Sequence, residues 1–438
     1  MRSGKTSTAG KKENTLMKET DTREIYEHTF PNGIRLAYKQ VNSTKISHCG
    51  FVLDIGSRDE KEGQQGIAHF WEHMAFKGTE KRKAYHILSR VDSVGGELNA
   101  YTTKEKICFY ASLLDAHFEK AVELLTDITF NSTFPEREIQ KERGVILEEM
   151  SMYLDDPGDA IQDEFDELVF KGHPLGCNIL GTRESIDSFR KVHFQQFITE
   201  NMDTRRVVFS VVSSMPFKKV LRIASKYLEG VPTFHTDRKR QKFNDYTPIT
   251  KTVHKPINQA HCITGTTTYS LYERKRIPFF LLVNLLGGPG MNSRLNLSIR
   301  ERYGFVYSID ANTNSYLDTG LFAIHFATEQ KTLERCVQLV MKELKKLREQ
   351  KLGSMQLHTA KQQLMGQMAM AEESNLGLML MVGKSLIDLG RVESLSNIFK
   401  KVGEIEAETI MELANEVLPE DKMSTLTYLP ETRRLQEQ

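Results

Sequence analysis

Five cysteines in 438 residues, placed singly at Cys49, Cys108, Cys177, Cys262 and Cys336 with no C-x-x-C pair, argue against a disulfide framework and a thiolate zinc site. A reducing compartment fits them. Prolines number only 12 and no run reaches eighteen apolar residues, so neither a proline-rich extended chain nor a membrane-spanning helix is supported. Charge of one sign is also lacking. The 59 basic and 58 acidic side chains leave a formal net charge of +1, which gives no overall pull toward nucleic acid or an anionic membrane. Residues 1–22 are polar, lack the apolar stretch of a secretory signal, and read as a flexible tail.

What is present is 39% hydrophobic residues, enough at this length for at least two cores. Asn32-Gly33 predicts a tight turn between strands at 28–30 and 34–38, and residues 51–55 read as a buried strand. Lys104-Glu105-Lys106 predicts the turn of a second hairpin joining 98–103 to 107–113, while helical periodicity covers 65–78, 116–127 and 136–154. A polar stretch containing Arg238-Lys239-Arg240 interrupts the pattern. Beyond it the order resembles the first half: a strand at 261–267, helices at 277–286 and 293–302, strands at 305–313 and 321–328, and a helix at 330–349. The expectation is an α+β fold of two similar α/β-sandwich domains from an internal duplication, each a mixed or antiparallel sheet with helices on one side. Expected boundaries are the tail at 1–22, a first domain at 23–232, a linker at 233–252 and a second domain at 253–438.

The pentapeptide His69-Phe70-Trp71-Glu72-His73 carries the most chemical information. Histidines four apart on a helix share a face and can share a metal ion. On a helical wheel the two lie about 40° apart, away from Ile67, Phe70, Trp71 and Met74, so they do not belong to the apolar stripe. A solvated polar face is the alternative the motif leaves open. An H-x-x-E-H match arises by chance roughly 0.03 times in a chain of this composition, which makes it a lead worth following. Glu72 lies about 60° from His69 and can reach a water on a shared metal.

A catalytic zinc usually takes three protein ligands and keeps its fourth position for water. The helical stretch at 136–154 offers Glu142 and Glu149, two turns apart on a face shared with Val145, Ile146, Met152 and Tyr153. Carboxylates within an apolar face are costly unless a cation meets them. Glu148 falls off that face. Glu149 is the predicted ligand and Glu142 a supporting or alternate carboxylate, with an internal salt bridge to a lysine or arginine as the other reading.

With the pentapeptide followed by Glu142-Arg143-Gly144-Val145-Ile146-Leu147-Glu148-Glu149-Met150, the sequence resembles the pitrilysin and insulinase-type zinc peptidases that carry the inverted motif. Within them it is most similar to the mitochondrial processing peptidase beta-subunit type and its single-module bacterial relatives. The resemblance implies one zinc ion per chain on His69, His73 and Glu149, with Glu72 as general base and Glu142 as a second catalytic residue. It further implies an extended peptide on the strand of Asn99 and Ala100, and substrate contacts from Arg300 and Tyr307. From the residues alone, Arg300 reads as a solvated helix residue and Tyr307 as core.

The implied activity is that of a zinc metalloendopeptidase acting on peptides or unfolded segments held in an enclosed chamber. Because the chain is about one module long, a homodimer is expected to form the chamber, with a heterodimer as the variant. A non-catalytic scaffold of the same fold, or a peptide-binding protein with little turnover, is the competing class. The expected location is the bacterial cytoplasm, with the mitochondrial matrix second, and neither nucleic acid nor membrane is an expected partner. The cluster Gly287-Gly288-Pro289-Gly290 lacks the ending of a phosphate loop, so nucleotide binding is not expected.

Overall fold

The computed structural model describes residues 25–431, and the expected tail at 1–22 lies outside them. The first half opens with strands β1 (Ile25–Thr29), β2 (Arg35–Gln40) and β3 (Ile46–Leu53). Helices α1 (Ile67–Ala75) and α2 (Ala84–Asp92) follow, then the hairpin of β4 (Glu97–Thr102) and β5 (Ile107–Leu114). Helices α3 (Phe118–Phe130), α4 (Glu136–Asp155), α5 (Pro157–Val169), α6 (Arg183–Ser188) and α7 (Lys191–Asn201) lead to β6 (Val207–Ser213) and α8 (Phe217–Leu228).

The second half begins with β7 (Thr250–Lys255), β8 (Ala260–Thr268) and α9 (Arg276–Gly287). A π-helical turn (Asn296–Glu301) precedes β9 (Val306–Ser315) and β10 (Gly320–Thr328). The rest comprises α10 (Leu333–Glu349), α11 (Ser354–Glu372), α12 (Asn375–Leu389), α13 (Leu395–Gly403), α14 (Ala407–Val417) and β11 (Ser424–Pro430).

Local chemistry explains the starting points. Gly33 supplies φ +94° for the first turn, and Asn32 Nδ2 donates to the carbonyls of Leu228 at 2.7 Å and Val231 at 2.9 Å. Strand β6, Val-Val-Phe-Ser-Val-Val-Ser, is buried along its whole length, as a strand covered on both faces requires.

The sheets run β1-β2-β6-β3-β5-β4 and β7-β11-β8-β10-β9. Leaving β1 aside, the two orders are the same when strands are matched in chain sequence, and each sheet has one parallel pair, β2–β6 and β7–β11, among antiparallel ones. This shared topology is the structural form of the duplication. Strands β4 and β9 occupy the corresponding free edges.

One face of each sheet is covered by helices of its own half. Phe51, Phe109 and Phe209 share a core with Trp71 of α1 and Leu125 of α3, and Phe322 and Ile324 share one with Leu282 of α9 and Val340 of α10. The opposite faces are covered reciprocally. Helix α12 of the second half lays Leu378, Met379, Val382 and Leu386 against Ala37, Val208 and Val212, while α5 of the first half lays Ile161 and Phe165 against Ile263, Leu321 and Leu426. Each half thus keeps its partner's second face dry, an exchange that hydrophobic periodicity does not reveal.

Ion pairs fix the junction. The hairpin turn after β4 is buried: Lys104 Nζ donates to the Cys177 carbonyl at 2.6 Å, Glu105 meets Arg58 at 2.6 Å, and Lys106 meets Asp388 of α12 at 2.6 Å. Arg58 also holds Asp318, in the turn after β9, at 2.7 Å. The stretch expected as a linker has no helix or strand until β7, yet Arg240 is bonded to both Asp54 and Asp59 at 2.8 Å. It is a strap lashed to the first half.

Close packing at α12 gives a test of the exchange. A Cβ on Gly383 would lie 2.6 Å from Val52 Cγ2, so Gly383→Val is expected to force α12 off the first sheet and cost about 1–3 kcal/mol, read as a lower denaturant midpoint.

Candidate metal centre

Helix α1 is aimed by its own beginning. Gly66 enters it at φ +92°, where a Cβ would lie 2.5 Å from the Leu180 carbonyl oxygen, so glycine is required there. The Glu60 carboxylate accepts the N–H groups of Gly66 and Ala68, both at 2.9 Å, and thereby satisfies two of the helix's orphan donors. Ile67, Phe70, Trp71 and Met74 are fully buried. The remaining side carries His69, Glu72 and His73 toward α4.

The two imidazole rings lie with centroids 4.5 Å apart. Glu149 reaches both: its Oε1 is 3.8 Å from His69 Nε2 and its Oε2 is 3.4 Å from His73 Nε2. Among the described residues these three form the only set of three or more His, Cys, Asp or Glu groups able to hold a metal. Ligand atoms around a tetrahedral zinc, with bonds of about 2.0–2.2 Å, stand roughly 3.3–3.6 Å apart. The observed separations are close to that spacing.

Hydrogen bonding around the set explains its polarity. His73 Nδ1–H donates to Glu142 Oε1 at 3.0 Å, and Glu142 Oε2 accepts from Lys77 Nζ at 2.6 Å. With the Nδ1 proton so engaged, neutral His73 turns the bare lone pair of Nε2 toward the Glu149 oxygen. Two acceptors cannot face each other at 3.4 Å without a cation or a proton between them. With no metal, burial lowers the pKa of His73, but the bonds to Glu142 and Glu149 outweigh it and bring the group up to about 9. His69 moves the other way, pushed down by burial and by the neighbouring His73. Glu149 lies below the usual carboxylate range because of His73, and Glu142 does so because His73 and Lys77 outweigh its burial. The donor set, one carboxylate and two imidazoles, suits zinc.

Glu72 stands beside these ligands, half-buried, and its Oε2 accepts from Thr102 Oγ1 at 2.5 Å. Burial raises its pKa against that hydrogen bond. Thr102, Lys77 and Glu60 are absent from the residues that the sequence motifs mark. Thr102 was within reach of pattern reading, since it falls two residues beyond Ala100 and hence on the same strand face. Lys77 stands four residues after His73, a spacing that points to the same side, although α1 ends at Ala75.

The other expected residues lie apart from the ligands. Asn99 and Ala100 are on the free edge strand β4, where Asn99 Oδ1 accepts the Ala100 N–H at 2.8 Å. Arg300 is on the π-helical turn, 3.4 Å from Asn296 Oδ1, and Tyr307 near the start of β9 is 88% exposed. No contact joins either to the histidine cluster among the described residues. Glu142 is buried as expected, but the face drawn around it is not: Val145 is 51% and Met152 63% exposed, Tyr153 is exposed as well, and the buried line of α4 is Ile139, Glu142 and Ile146.

Comparison with known proteins shows the family. Residues 35–183 match the family model described as insulinase (peptidase family M16), and residues 188–364 match the model described as the peptidase M16 inactive domain. The chain belongs to the M16 peptidase family. A Bacillus subtilis protein named uncharacterized zinc protease YmxG is 32% identical over 408 residues, 91% of this M16 chain and 96% of its own length. A Rickettsia bellii protein named uncharacterized zinc protease is 32% identical over 388 residues, covering 88% and 92% of the two chains.

Two solved structures share the fold. A peptidase M16 inactive domain from Pseudomonas fluorescens has a TM-score of 0.87 at 17% identity, covering 93% of this chain and 98% of its own. A protease from Helicobacter pylori has a TM-score of 0.84 at 19% identity, covering 93% and 100%. In this M16 chain, α9 occupies the topological place of α1 but has no histidine, so the second half repeats the scaffold without the ligands.

The two glutamates of α4 are expected to separate in zinc titrations. Glu149→Gln should reduce binding from about one ion per chain to near none, whereas Glu142→Gln should keep the ion with affinity about 10–100-fold weaker.

Proposed function

We infer that this chain is a zinc-dependent endopeptidase and that His69, His73 and Glu149 hold its ion. The observation that carries the reading is the convergence of Glu149 with both histidines at 3.4 and 3.8 Å, beside a glutamate that is not a ligand. When bound, zinc supplies Lewis acidity toward a carbonyl oxygen and acidifies water at the site.

Everything else falls to the chain. Glu142, itself held by Lys77, keeps the Nδ1 proton on His73 and so presents Nε2 as a ligand. Glu72 takes a proton from the water that attacks the peptide carbonyl carbon. As the carbon–nitrogen bond breaks, it returns that proton to the leaving amine. Thr102 fixes the Glu72 carboxylate from one side, which leaves the other oxygen for this exchange.

The substrate is a peptide or unfolded segment held extended along β4, the free edge beside the site, by backbone hydrogen bonds. To pair there it displaces the Asn99 side chain from the Ala100 N–H, a bond that caps the edge when no peptide is present. Half-buried Arg300 and exposed Tyr307 lie on the second half and, among the described residues, do not touch this chain's own ligands. That placement favours a homodimer in which each second half closes a chamber over the partner's metal centre. A complete ligand set with its supporting glutamate gives the scaffold reading no support. Among the described residues no helix is long and apolar enough to cross a membrane, and bacterial cytoplasm is the proposed location.

The decisive variant is Glu72→Gln. It is expected to retain zinc and peptide binding but to lose about 10²–10⁴-fold in cleavage of a quenched fluorescent peptide, the usual contribution of a general base. Cleavage at the wild-type rate would remove Glu72 from the chemistry. Sedimentation should give twice the chain mass.

A further inference from the structure

Tyr101 shares with Glu97 and Asn99 the face of β4 that turns away from the metal centre. It pairs with Cys108 of β5, which pairs with Val52 of β3, and Val52 lies under Gly383 of α12. Tyr101 therefore points to the face covered by α12, and the Lys384 ammonium of that helix lies 4.8 Å from its ring centroid. Behind Lys384 opens a cavity of about 440 Å³ with apolar walls from Leu271, Leu380 and Met381, and with Arg276 and the Lys106-paired Asp388 in its lining.

Two cations in this cavity lack bonded counter-ions. Among the described residues no carboxylate is hydrogen-bonded or ion-paired to Arg276 or Lys384. The acids nearest Arg276 are already engaged, Asp388 with Lys106 at 2.6 Å and Glu393 with Lys401. Arg276 is half-buried, and burial without a bonded carboxylate lowers its pKa. A buried-stem guanidinium and an ammonium over an apolar hollow match a carboxylate on an apolar stem.

We propose that this cavity is a specificity subsite for a carboxylate carried by the peptide, supplied either by an acidic side chain or by a free C-terminus. The inference rests on reading β4 as the edge that holds the substrate. When a strand adds to β4, the residue directly opposite Tyr101 projects to the same face as Tyr101. Its side chain then meets Lys384 first and Arg276 beyond it. Residues one position away project to the other face, toward Thr102 and Glu72. One register thus places an acidic residue in the cavity while a neighbouring peptide bond lies on the catalytic side.

The test uses the full-length zinc-loaded Glu72→Gln chain, so that binding is read without turnover. Labelled peptides of one sequence carry a single Glu moved along the chain, each with a Gln counterpart, and each with a free or an amidated C-terminus. Fluorescence anisotropy is expected to show one register at which Glu binds about tenfold tighter than Gln, the size of one partly solvated charge-assisted contact. Dependence on the free C-terminus instead, with no Glu effect, assigns the cavity to the terminal carboxylate. In Arg276→Met and Lys384→Met the preference should fall toward one, and Lys384→Arg should keep it.

Equal binding of Glu and Gln peptides and of acid and amide at every register overturns the subsite. A preference unchanged in both methionine variants overturns it as well. The comparisons in the parent pocket need no variant, so a variant that does not fold leaves the test intact. If no peptide binds at all, the reading of β4 as a peptide-holding edge fails and the subsite falls with it.

Discussion

Two imidazole nitrogens and a carboxylate oxygen converge at separations that only a positive charge between them can make tenable. Without a metal His73 holds a proton toward Glu149; with one it turns a lone pair there, because Glu142 claims its other ring nitrogen, and Glu142 is kept in its charged form by His73 and Lys77. Buried acceptors set against acceptors cost free energy in a low-dielectric site. The fold accepts that cost at one place and surrounds it with fully packed apolar residues on α1. The chemical capacity of the chain follows from this constraint, since a cation gripped there leaves Glu72 free beside it.

The second half repeats the strand order and omits the ligands, but it is not a passenger. Its helix α12 covers the outer face of the first sheet, and α5 of the first half returns the favour. The turn after β4 is bound through Glu105, Arg58 and Asp318 to the turn after β9, so the two free edges are tied together at a buried ionic hub. A peptide held on β4 is therefore held on a strand whose position depends on both halves. Buried pairs of this kind are costly to break singly, because the remaining charge loses its partner.

Much of the site was legible because its information is local. Histidines four apart and a glutamate beside them fix a helix face whatever the surroundings, and glycine-bearing or alternating segments located β1 to β5 within a few residues. What a single sequence does not carry is long-range partners. Lys104, Glu105 and Lys106 have the composition of a solvated turn, yet each meets a group brought from elsewhere in the chain. Arg238 and Arg240 look like a linker's charges and are bound to Asp54 and Asp59.

The face of α4 shows the limit from the other side. A helical wheel places Val145, Met152 and Tyr153 around the two glutamates, but nothing in one sequence tells whether an apolar stripe is covered, and this one is largely open. Tyr307, which the residues alone assign to the core, is exposed for the same reason. The central claim is tested most directly by anomalous diffraction at the zinc edge from crystals of the zinc-loaded chain. A single peak is expected about 2.0–2.2 Å from His69 Nε2, His73 Nε2 and a Glu149 oxygen, with Glu72 outside bonding distance. A peak bound by Glu142 or Glu72 in place of Glu149, or none between the two histidines, would contradict it.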